Sequence, residues 1–168
     1  MRVTRPFLIF PDKRLQTVCT PVETVDDTVR GIWDEMLTAM YGMPGVGLAA
    51  PQVGVLRRVI VVDVAEKHIT LINPEISAAE GEQVGLEGCL SIPDLVGEVT
   101  RAEWVLVKGL SSDRRVIVLE GEGLLARALQ HEVDHLDGIL FPARVEDITR
   151  LWSASDLSAA AASEVTNI

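Results

Sequence analysis

The sequence lacks a hydrophobic run long enough to span a bilayer, which takes roughly 20 consecutive apolar residues. Its uninterrupted apolar stretches, such as residues 59–62, are far shorter. Near the start, residues 7–10 are apolar, but Pro11 and Asp12 interrupt them before they reach the length of a signal peptide's hydrophobic segment. We therefore expect a soluble chain that enters no membrane and works in the cytoplasm.

Cysteine and positive charge are also scarce. The two cysteines are Cys19 and Cys89, and without an export signal they do not indicate a disulfide framework. Cys19 belongs to no motif and is interpreted as a buried or free thiol. The net charge of −10 argues against a direct nucleic-acid site, because proteins that bind nucleic acid neutralise phosphates with clustered Lys and Arg.

The remaining composition is that of an ordinary globular protein, with 48% hydrophobic and 24% charged residues. A chain of 168 residues suits one compact domain, which we take as residues 1–168 because no linker or repeat divides it. Residues 153–168 are rich in Ala and Ser, a composition that fits either a short helix or a frayed tail.

Two amphipathic helices are predicted. Residues 24–42 carry apolar side chains at the three-and-four spacing of a helix, with Thr24 and Asp27 as a capping pair and Gly42 as the stop. The second helix is expected over Gly123–Leu136, before the helix-ending pair Asp137-Gly138.

Between the helices, the glycines and prolines of residues 43–54 predict a tight loop. Segments rich in Val and Ile then predict strands over residues 58–64, 69–73, 99–108 and 115–119. The strands are grouped and do not alternate with helices, so the pattern favours an α+β fold.

The second helix contains an H-E-x-x-H motif formed by His131, Glu132 and His135. Its spacing places both imidazoles one turn apart on one face of the helix. Leu124 and Ala128 fall on that same face, while Arg127 and Asp134, with Gln130 and Asp137, fall on the face turned away. A buried pair of imidazoles beside a carboxylate predicts a bound cation.

A catalytic metal site usually takes three protein ligands and keeps a fourth position for water. No histidine follows His135, and the remaining downstream glutamates are Glu146 and Glu164. Cys89 is the better candidate, because the glycine before it lets the backbone approach closely and a thiolate binds borderline divalent metals well. A lone Cys is more often a small buried hydrophobe, so its neighbours decide the interpretation.

Three ordered segments together resemble the peptide deformylase family. They are Gly45-Val46-Gly47-Leu48-Ala49-Ala50-Pro51-Gln52, Glu87-Gly88-Cys89-Leu90-Ser91 and Gln130-His131-Glu132-Val133-Asp134-His135. The resemblance covers roughly residues 5–142. It implies an α+β fold in which mixed or antiparallel sheets pack around a central metal-binding helix.

The resemblance also implies a function, namely hydrolysis of the N-formyl group from the N-terminal formylmethionine of new polypeptides, with release of formate. In such an enzyme Cys89, His131 and His135 hold the metal. Glu132 is the catalytic acid and base, and the Gln52 amide and the Leu90 N–H stabilise the oxyanion. A formamide carbonyl needs polarising, and a water must lose its proton near neutral pH, so the chemistry requires these parts.

Further residues are predicted to contact the substrate. The resemblance assigns Gly45 and Gly47 to substrate binding, although glycines of this kind also serve simply to form turns. Glu87 and Gly88 are assigned to the same role. An apolar pocket for the methionine side chain is predicted from Val46, Leu124 and Ala128, which are equally consistent with core positions.

The metal is expected to be one divalent ion per chain. The resemblance favours Fe²⁺, and one thiolate with two imidazoles also suits Zn²⁺, Ni²⁺ or Co²⁺. The expected partners are N-formylmethionyl peptides and, transiently, the ribosome, with the chain itself a monomer. Bacterial family members often end in a basic helix thought to help ribosome docking, whereas no Lys or Arg follows Arg150.

Two other functions compete with this interpretation. A small H-E-x-x-H zinc protease would take its third ligand elsewhere and would keep its metal without Cys89. A non-catalytic metal-stabilised module would have a closed site with four protein ligands. No fourth ligand is evident from the sequence, and such a module would leave Glu132 and Gln52 without a role.

Overall fold

The computed structural model describes residues 6–157 and 159–168. Its helices are α1 (Asp27–Tyr41), α2 (Gly123–Leu136) and the short α3 (Ala159–Ala162). Its strands are β1 (Gly47–Ala49), β2 (Val59–Val64), β3 (Lys67–Glu80), β4 (Gln83–Cys89), β5 (Ile92–Arg101), β6 (Trp104–Leu110), β7 (Val116–Glu122), β8 (Leu151–Ser153) and β9 (Thr166–Asn167). The predicted α+β class is confirmed.

The strands form two sheets. The five-stranded sheet has the order β1-β2-β3-β6-β7 and is antiparallel throughout. The four-stranded sheet has the order β8-β5-β4-β9, in which β9 runs parallel to β4 and the other pairs are antiparallel. One sheet is therefore antiparallel and the other mixed, as expected.

The five-stranded sheet lies between the two long helices. Along β2, Val61 packs in a cluster with Met36 of α1, whereas its neighbour Val62 packs in a cluster with Leu129 of α2. Successive side chains of a strand point to opposite faces, so both faces of β2 are buried. This burial explains why residues 59–62 of β2 are a continuous apolar run rather than an alternating one.

Helix α2 is also covered on its other side, by the four-stranded sheet. Its Arg127 side chain donates to the Val99 carbonyl of β5 at 3.1 Å. The layers are therefore α1, the five-stranded sheet, α2 and the four-stranded sheet. The helix that carries the H-E-x-x-H motif is central, as predicted.

The predicted capping pair at the start of α1 is wrong. The side chain of Asp26, not that of Thr24, caps the helix by accepting a hydrogen bond from the Val29 N–H at 3.0 Å. Asp26 directly precedes the first helical residue, which is the position from which a short carboxylate reaches the unpaired N–H groups of the first turn. Gly42 follows the helix, as expected.

Helix α2 has the predicted bounds, and its end is fastened to the N-terminal part of the chain. Gly138 adopts a φ of 72°, and an added Cβ would lie 2.8 Å from the Gln16 carbonyl oxygen. The Cys19 N–H donates to the Leu136 carbonyl at 2.8 Å. Glycine therefore allows both the left-handed turn and the close approach of the neighbouring chain.

Several strand predictions differ from the structure. The predicted strand over residues 99–108 is two strands, β5 and β6, because the chain turns at Ala102, whose N–H donates to the Gln130 side chain at 3.0 Å. Strand β4 was not predicted, since Gly85, Gly88 and its polar residues hide the apolar pattern. Inside the predicted loop over residues 43–54, the structure contains the short strand β1.

The segment over residues 153–168, consistent with a helix or a frayed tail, contains both the short helix α3 and the strand β9. No helix in the described ranges is long and apolar enough to cross a membrane.

Candidate active site

Two imidazoles and one thiol meet beside α2. His131 and His135 lie one helical turn apart, and the end of β4 brings Cys89 towards them. The ligand atoms of these three residues all lie within 4.8 Å of one another, and the Cys89 Sγ is 3.3 Å from the His135 Nε2. Both histidines are 1% exposed and Cys89 is 3% exposed, so the cluster is closed off from bulk water.

The chemistry of this cluster fits a divalent metal ion. The His131 Nε2 is buried and has no hydrogen-bond partner among the described residues, which is costly unless something else binds it. Burial, together with the charge of His131, holds the pKa of His135 well below its usual range, so this imidazole is neutral and able to act as a ligand. Burial raises the pKa of the Cys89 thiol to about 12, and a bound cation would deprotonate such a thiol.

His131 is held in place by Glu87. The Glu87 carboxylate lies 3.0 Å from the His131 Nδ1, on the side of the ring opposite the free Nε2. The same carboxylate accepts hydrogen bonds from Arg101 and from Arg127. A metal-binding histidine typically donates its other ring N–H to such a carboxylate, which fixes the ring and its tautomer. The Phe141 ring stacks on His131 at a centroid distance of 6.3 Å.

Glu132 has the opposite environment. It is completely buried, and neither carboxylate oxygen has a hydrogen-bond partner among the described residues. Burial, reinforced by the negative charge of Glu87 and partly offset by Arg101, raises the pKa of Glu132 well above its usual range. Gly47 faces this carboxylate so closely that an added Cβ would collide with it. A carboxyl group that is neither paired nor solvated is suited to exchange a proton with a small molecule beside it.

The Gln52 side chain is oriented from both ends. Its Oε1 accepts a hydrogen bond from the Ala49 N–H at 2.8 Å. Its Nε2 points towards the Ser91 Oγ at 3.3 Å and the Cys89 Sγ at 3.8 Å. The amide group of Gln52 is therefore fixed, and its N–H donors are directed at the cluster of Cys89, His131 and His135.

The C-terminal strand β9 lies in the space between Val46 and strand β4, which we call the cleft. The Val46 N–H donates to the Asn167 carbonyl at 3.2 Å. On the other side of the cleft, the Ile168 N–H donates to the Gly88 carbonyl at 3.2 Å, and the Leu90 N–H donates to the Ile168 carbonyl at 3.4 Å. Extended backbone thus pairs with both walls of the cleft.

The remaining predicted substrate residues are only partly brought together. Gly45, Val46 and Leu124 line one surface cavity beside β9. Leu124 is 42% exposed, so it lies at the rim and not beside the histidines, whereas Ala128 is fully buried in the core. Glu87 has no free oxygen directed into the cleft, because His131 and two arginines occupy its carboxylate.

The expectation that Arg127 and Asp134 face away from the interior is wrong. They are 4% and 7% exposed, because the four-stranded sheet covers their face of the helix. Arg127 pairs with Glu87, and Asp134 accepts hydrogen bonds from Arg101 and Arg144. This ion network was not predicted from the sequence. In the sequence, the one sign of this network was Arg101, a charged residue at the end of a segment rich in valine.

Comparisons with known proteins agree with this geometry. A sequence model described as polypeptide deformylase matches residues 4–151. A peptide deformylase from Acetivibrio thermocellus is 52% identical over 134 residues, which cover 80% of this chain and 79% of that protein.

Solved structures give the same result. The crystal structure of a peptide deformylase from Legionella pneumophila superposes with a TM-score of 0.83 at 42% identity, covering 88% of this chain and 89% of that one. A Met-Ala-Ser-bound peptide deformylase from Acinetobacter baumannii superposes with a TM-score of 0.81 at 35% identity, covering 86% of this chain and all of that one. With its Cys-His-His cluster and with matches that cover at least 80% of its length, the chain belongs to the peptide deformylase family, metal-dependent hydrolases that remove the N-formyl group from nascent polypeptides.

Proposed function

We propose that Cys89, His131 and His135 hold one divalent ion and that Glu132 is the acid and base of the deformylation reaction. One observation carries this proposal. A buried cluster of three metal-binding atoms, within 4.8 Å of one another, adjoins a fully buried carboxyl group whose oxygens have no partner among the described residues. When bound, the ion supplies Lewis-acid polarisation of the formyl carbonyl and makes a nearby water more acidic.

Glu132 accepts a proton and later donates it in this reaction. Its carboxylate takes a proton from the attacking water and then gives it to the nitrogen of the departing methionine amine, while formate is released. The raised pKa of Glu132 supports this role, because it makes the carboxylate a stronger base towards the attacking water. Gly47 leaves the space that the carboxylate occupies.

Gln52 and Leu90 meet the negative charge that develops on the formyl oxygen. The Gln52 amide is fixed through Ala49 with its donors facing Cys89. The Leu90 N–H points into the cleft, where it donates to a carbonyl oxygen. Donors that are already oriented need no rearrangement as charge develops, and this preorganisation is the basis of oxyanion stabilisation.

The peptide binds as an extended strand in the cleft between Val46 and β4. Gly45, Gly47 and Gly88 let backbone approach closely on the two sides. Ala128 belongs to the apolar cluster next to the cleft and Val46 packs against it, while Leu124 lies at the rim, so together they receive the methionine side chain. We assign Glu87 to the positioning of His131 and not to contact with the peptide, because its carboxylate is fully used.

Fe²⁺ is the native metal that we propose, with Zn²⁺, Ni²⁺ and Co²⁺ as ions that the same ligands accept. A ferrous ion beside a thiolate makes the activity sensitive to oxygen. Protein loaded anaerobically with Fe²⁺ is expected to lose activity in air, whereas protein loaded with Zn²⁺ keeps its lower activity.

We further propose that the chain acts in the cytoplasm as a monomer that meets nascent chains at the ribosome only transiently. Residues 151–168 contain no Lys or Arg, so these residues offer no basic segment for docking at the ribosome. Sedimentation of the purified protein alone and with ribosomes tests both points.

The deciding experiment measures formate released from formyl-Met-Ala-Ser. Metal-loaded protein should release formate, a chelator should stop the reaction, and added Fe²⁺ should restore it. The Cys89→Ala variant should lose bound metal and activity together, while the matched Cys19→Ala variant should keep both. A Cys89→Ala protein that retains its metal would point instead to an H-E-x-x-H protease that binds the ion without sulfur.

A further inference from the structure

The last residues of the sequence pair with both walls of the cleft. Strand β9 is parallel to β4, with Thr166 opposite Glu87 and Asn167 opposite Gly88. Three backbone hydrogen bonds add to this pairing, and they join Asn167 to Val46 and Ile168 to both Gly88 and Leu90 at 3.2 to 3.4 Å. These residues lie outside the part of the chain that matches the family, which ends at residue 151.

The Ile168 side chain fills an apolar site. It is 0% exposed and belongs to the same core cluster as Ala128 and Leu125, against which Val46 packs. Full burial of an isoleucine favours the docked position through the hydrophobic effect. Gly88 has no Cβ, and this lets Asn167 approach, since an added Cβ would lie 2.6 Å from the Asn167 Oδ1.

The groups that hold this segment are those that the proposed function assigns to the substrate. The Val46 N–H and the Leu90 N–H each donate to a carbonyl of residues 167–168. Ile168 lies among the apolar residues predicted to receive methionine. A backbone N–H that donates to residues 167–168 cannot also donate to a second extended chain, so peptide binding and docking of the segment exclude each other.

The residues that join this segment to the rest of the chain allow it to leave the cleft. Ser163 and Glu164, which precede the segment, are exposed and form a turn. A tethered segment binds intramolecularly, at an effective concentration on the order of millimolar, and can therefore compete without being a tight ligand.

We propose that residues 165–168 are an intramolecular inhibitor, which occupies the peptide cleft and leaves it before a formyl-peptide binds. The inference rests on the proposed function, because it takes this cleft as the substrate's. The fraction of protein with the segment docked cannot bind peptide, so the apparent KM rises by the inverse of the undocked fraction while kcat is unchanged.

A charge at position 168 tests the proposal. In metal-loaded Ile168→Asp, the docked state loses its apolar contact, and KM for formyl-Met-Ala-Ser should fall on the order of tenfold with kcat unchanged. The matched variant Ala162→Asp places the same charge at an exposed position of α3 and should leave both constants as they are. A chain without residues 165–168 should behave like Ile168→Asp, which covers the case in which the aspartate disturbs folding.

Amide hydrogen exchange gives a readout that does not depend on turnover. In the wild-type protein, the Ile168 amide should be protected, and saturating Met-Ala-Ser should remove that protection. An Ile168 amide that exchanges freely from the start, or that stays protected with the peptide bound, overturns the proposal, as does an unchanged KM in both altered chains. If no variant releases formate, the proposed function fails, and the exchange measurement still decides whether the segment occupies the cleft.

Discussion

Glu87 and Glu132 are both completely buried, yet they lie in opposite environments. The Glu87 carboxylate accepts hydrogen bonds from two arginines and lies beside His131. Burial alone would raise the pKa of Glu87, but its contacts with His131 and Arg101 outweigh burial and hold it below the usual range. Glu132 has no such partner among the described residues, and burial raises its pKa.

This contrast is the one expected between a carboxylate that holds a structure and one that has the catalytic role proposed for Glu132. A charge that is fully hydrogen-bonded is fixed in place and cannot exchange a proton near neutral pH. A carboxyl group without partners destabilises the fold slightly and remains free to react. The hydrogen bonds of a buried acidic residue, and not its burial, therefore indicate which of these two roles it has.

The largest expected effect is on turnover. Glu132→Gln keeps the shape of the side chain but removes the group that titrates, so kcat for formyl-Met-Ala-Ser should fall roughly a hundredfold to ten-thousandfold. Metal content and the free energy of unfolding should stay close to wild type, because the Glu132 side chain has no hydrogen bond with any described residue to lose. Near-normal turnover in this variant would mean that Glu132 is not the acid and base.

Glu87→Gln should have the reverse profile. It leaves Arg127 buried without its countercharge and removes one of the two carboxylate partners of Arg101, and losing one partner of a buried ion pair costs about 3–5 kcal/mol of stability. Denaturant unfolding measures this loss, and Glu132→Gln is the matched control. If both variants were equally stable, the contrast between the two glutamates would disappear.

The pH dependence of stability sharpens the same point. Since the pKa of Glu87 is lower in the folded chain than its ordinary value of 4.5, its ionised form stabilises the protein fully above that pH. The contribution is lost as the pH falls below it. Between pH 5 and pH 3, the unfolding free energy of Glu87→Gln should therefore decline less steeply than that of the wild type.

A smaller effect is expected from Gly47→Ala, which displaces the Glu132 carboxylate without removing it. A displacement of about 1 Å from the reactive position lowers kcat by on the order of a hundredfold or less. Gly31→Ala is the control, because its Cβ would meet nothing within 4 Å. It should leave activity unchanged and, lying within α1, stabilise the fold by roughly 0.5–1 kcal/mol.

The sequence was sufficient for the parts of the molecule that follow a local period. The bounds of α2 and the H-E-x-x-H spacing are properties of a single helix, so they were predicted correctly. That Cys89 lies beside this helix was predicted from the family resemblance, because a contact between residues 46 positions apart in the chain leaves no local pattern in the sequence.

The rest depends on contacts that form only in the folded chain. Arg127 and Asp134 are polar, so helical periodicity alone places them towards solvent, yet the four-stranded sheet buries them. Strand β4 was not predicted because Gly85 and Gly88, which allow Arg127 and Asn167 to approach closely, have low strand propensity. Strand β9 is held by partners from two distant parts of the chain.

The parallel pairing of β9 with β4 has one more consequence. Without β9, the order of the sheet leaves β4 as an open edge, with peptide groups available to any extended chain. Main-chain groups are alike in every residue except proline, so an edge used in this way would recognise the extended conformation of a polypeptide and, beyond the methionine, little of its side chains. An enzyme with such an edge would accept very different proteins, provided that the N-terminal segment of each is extended and unfolded.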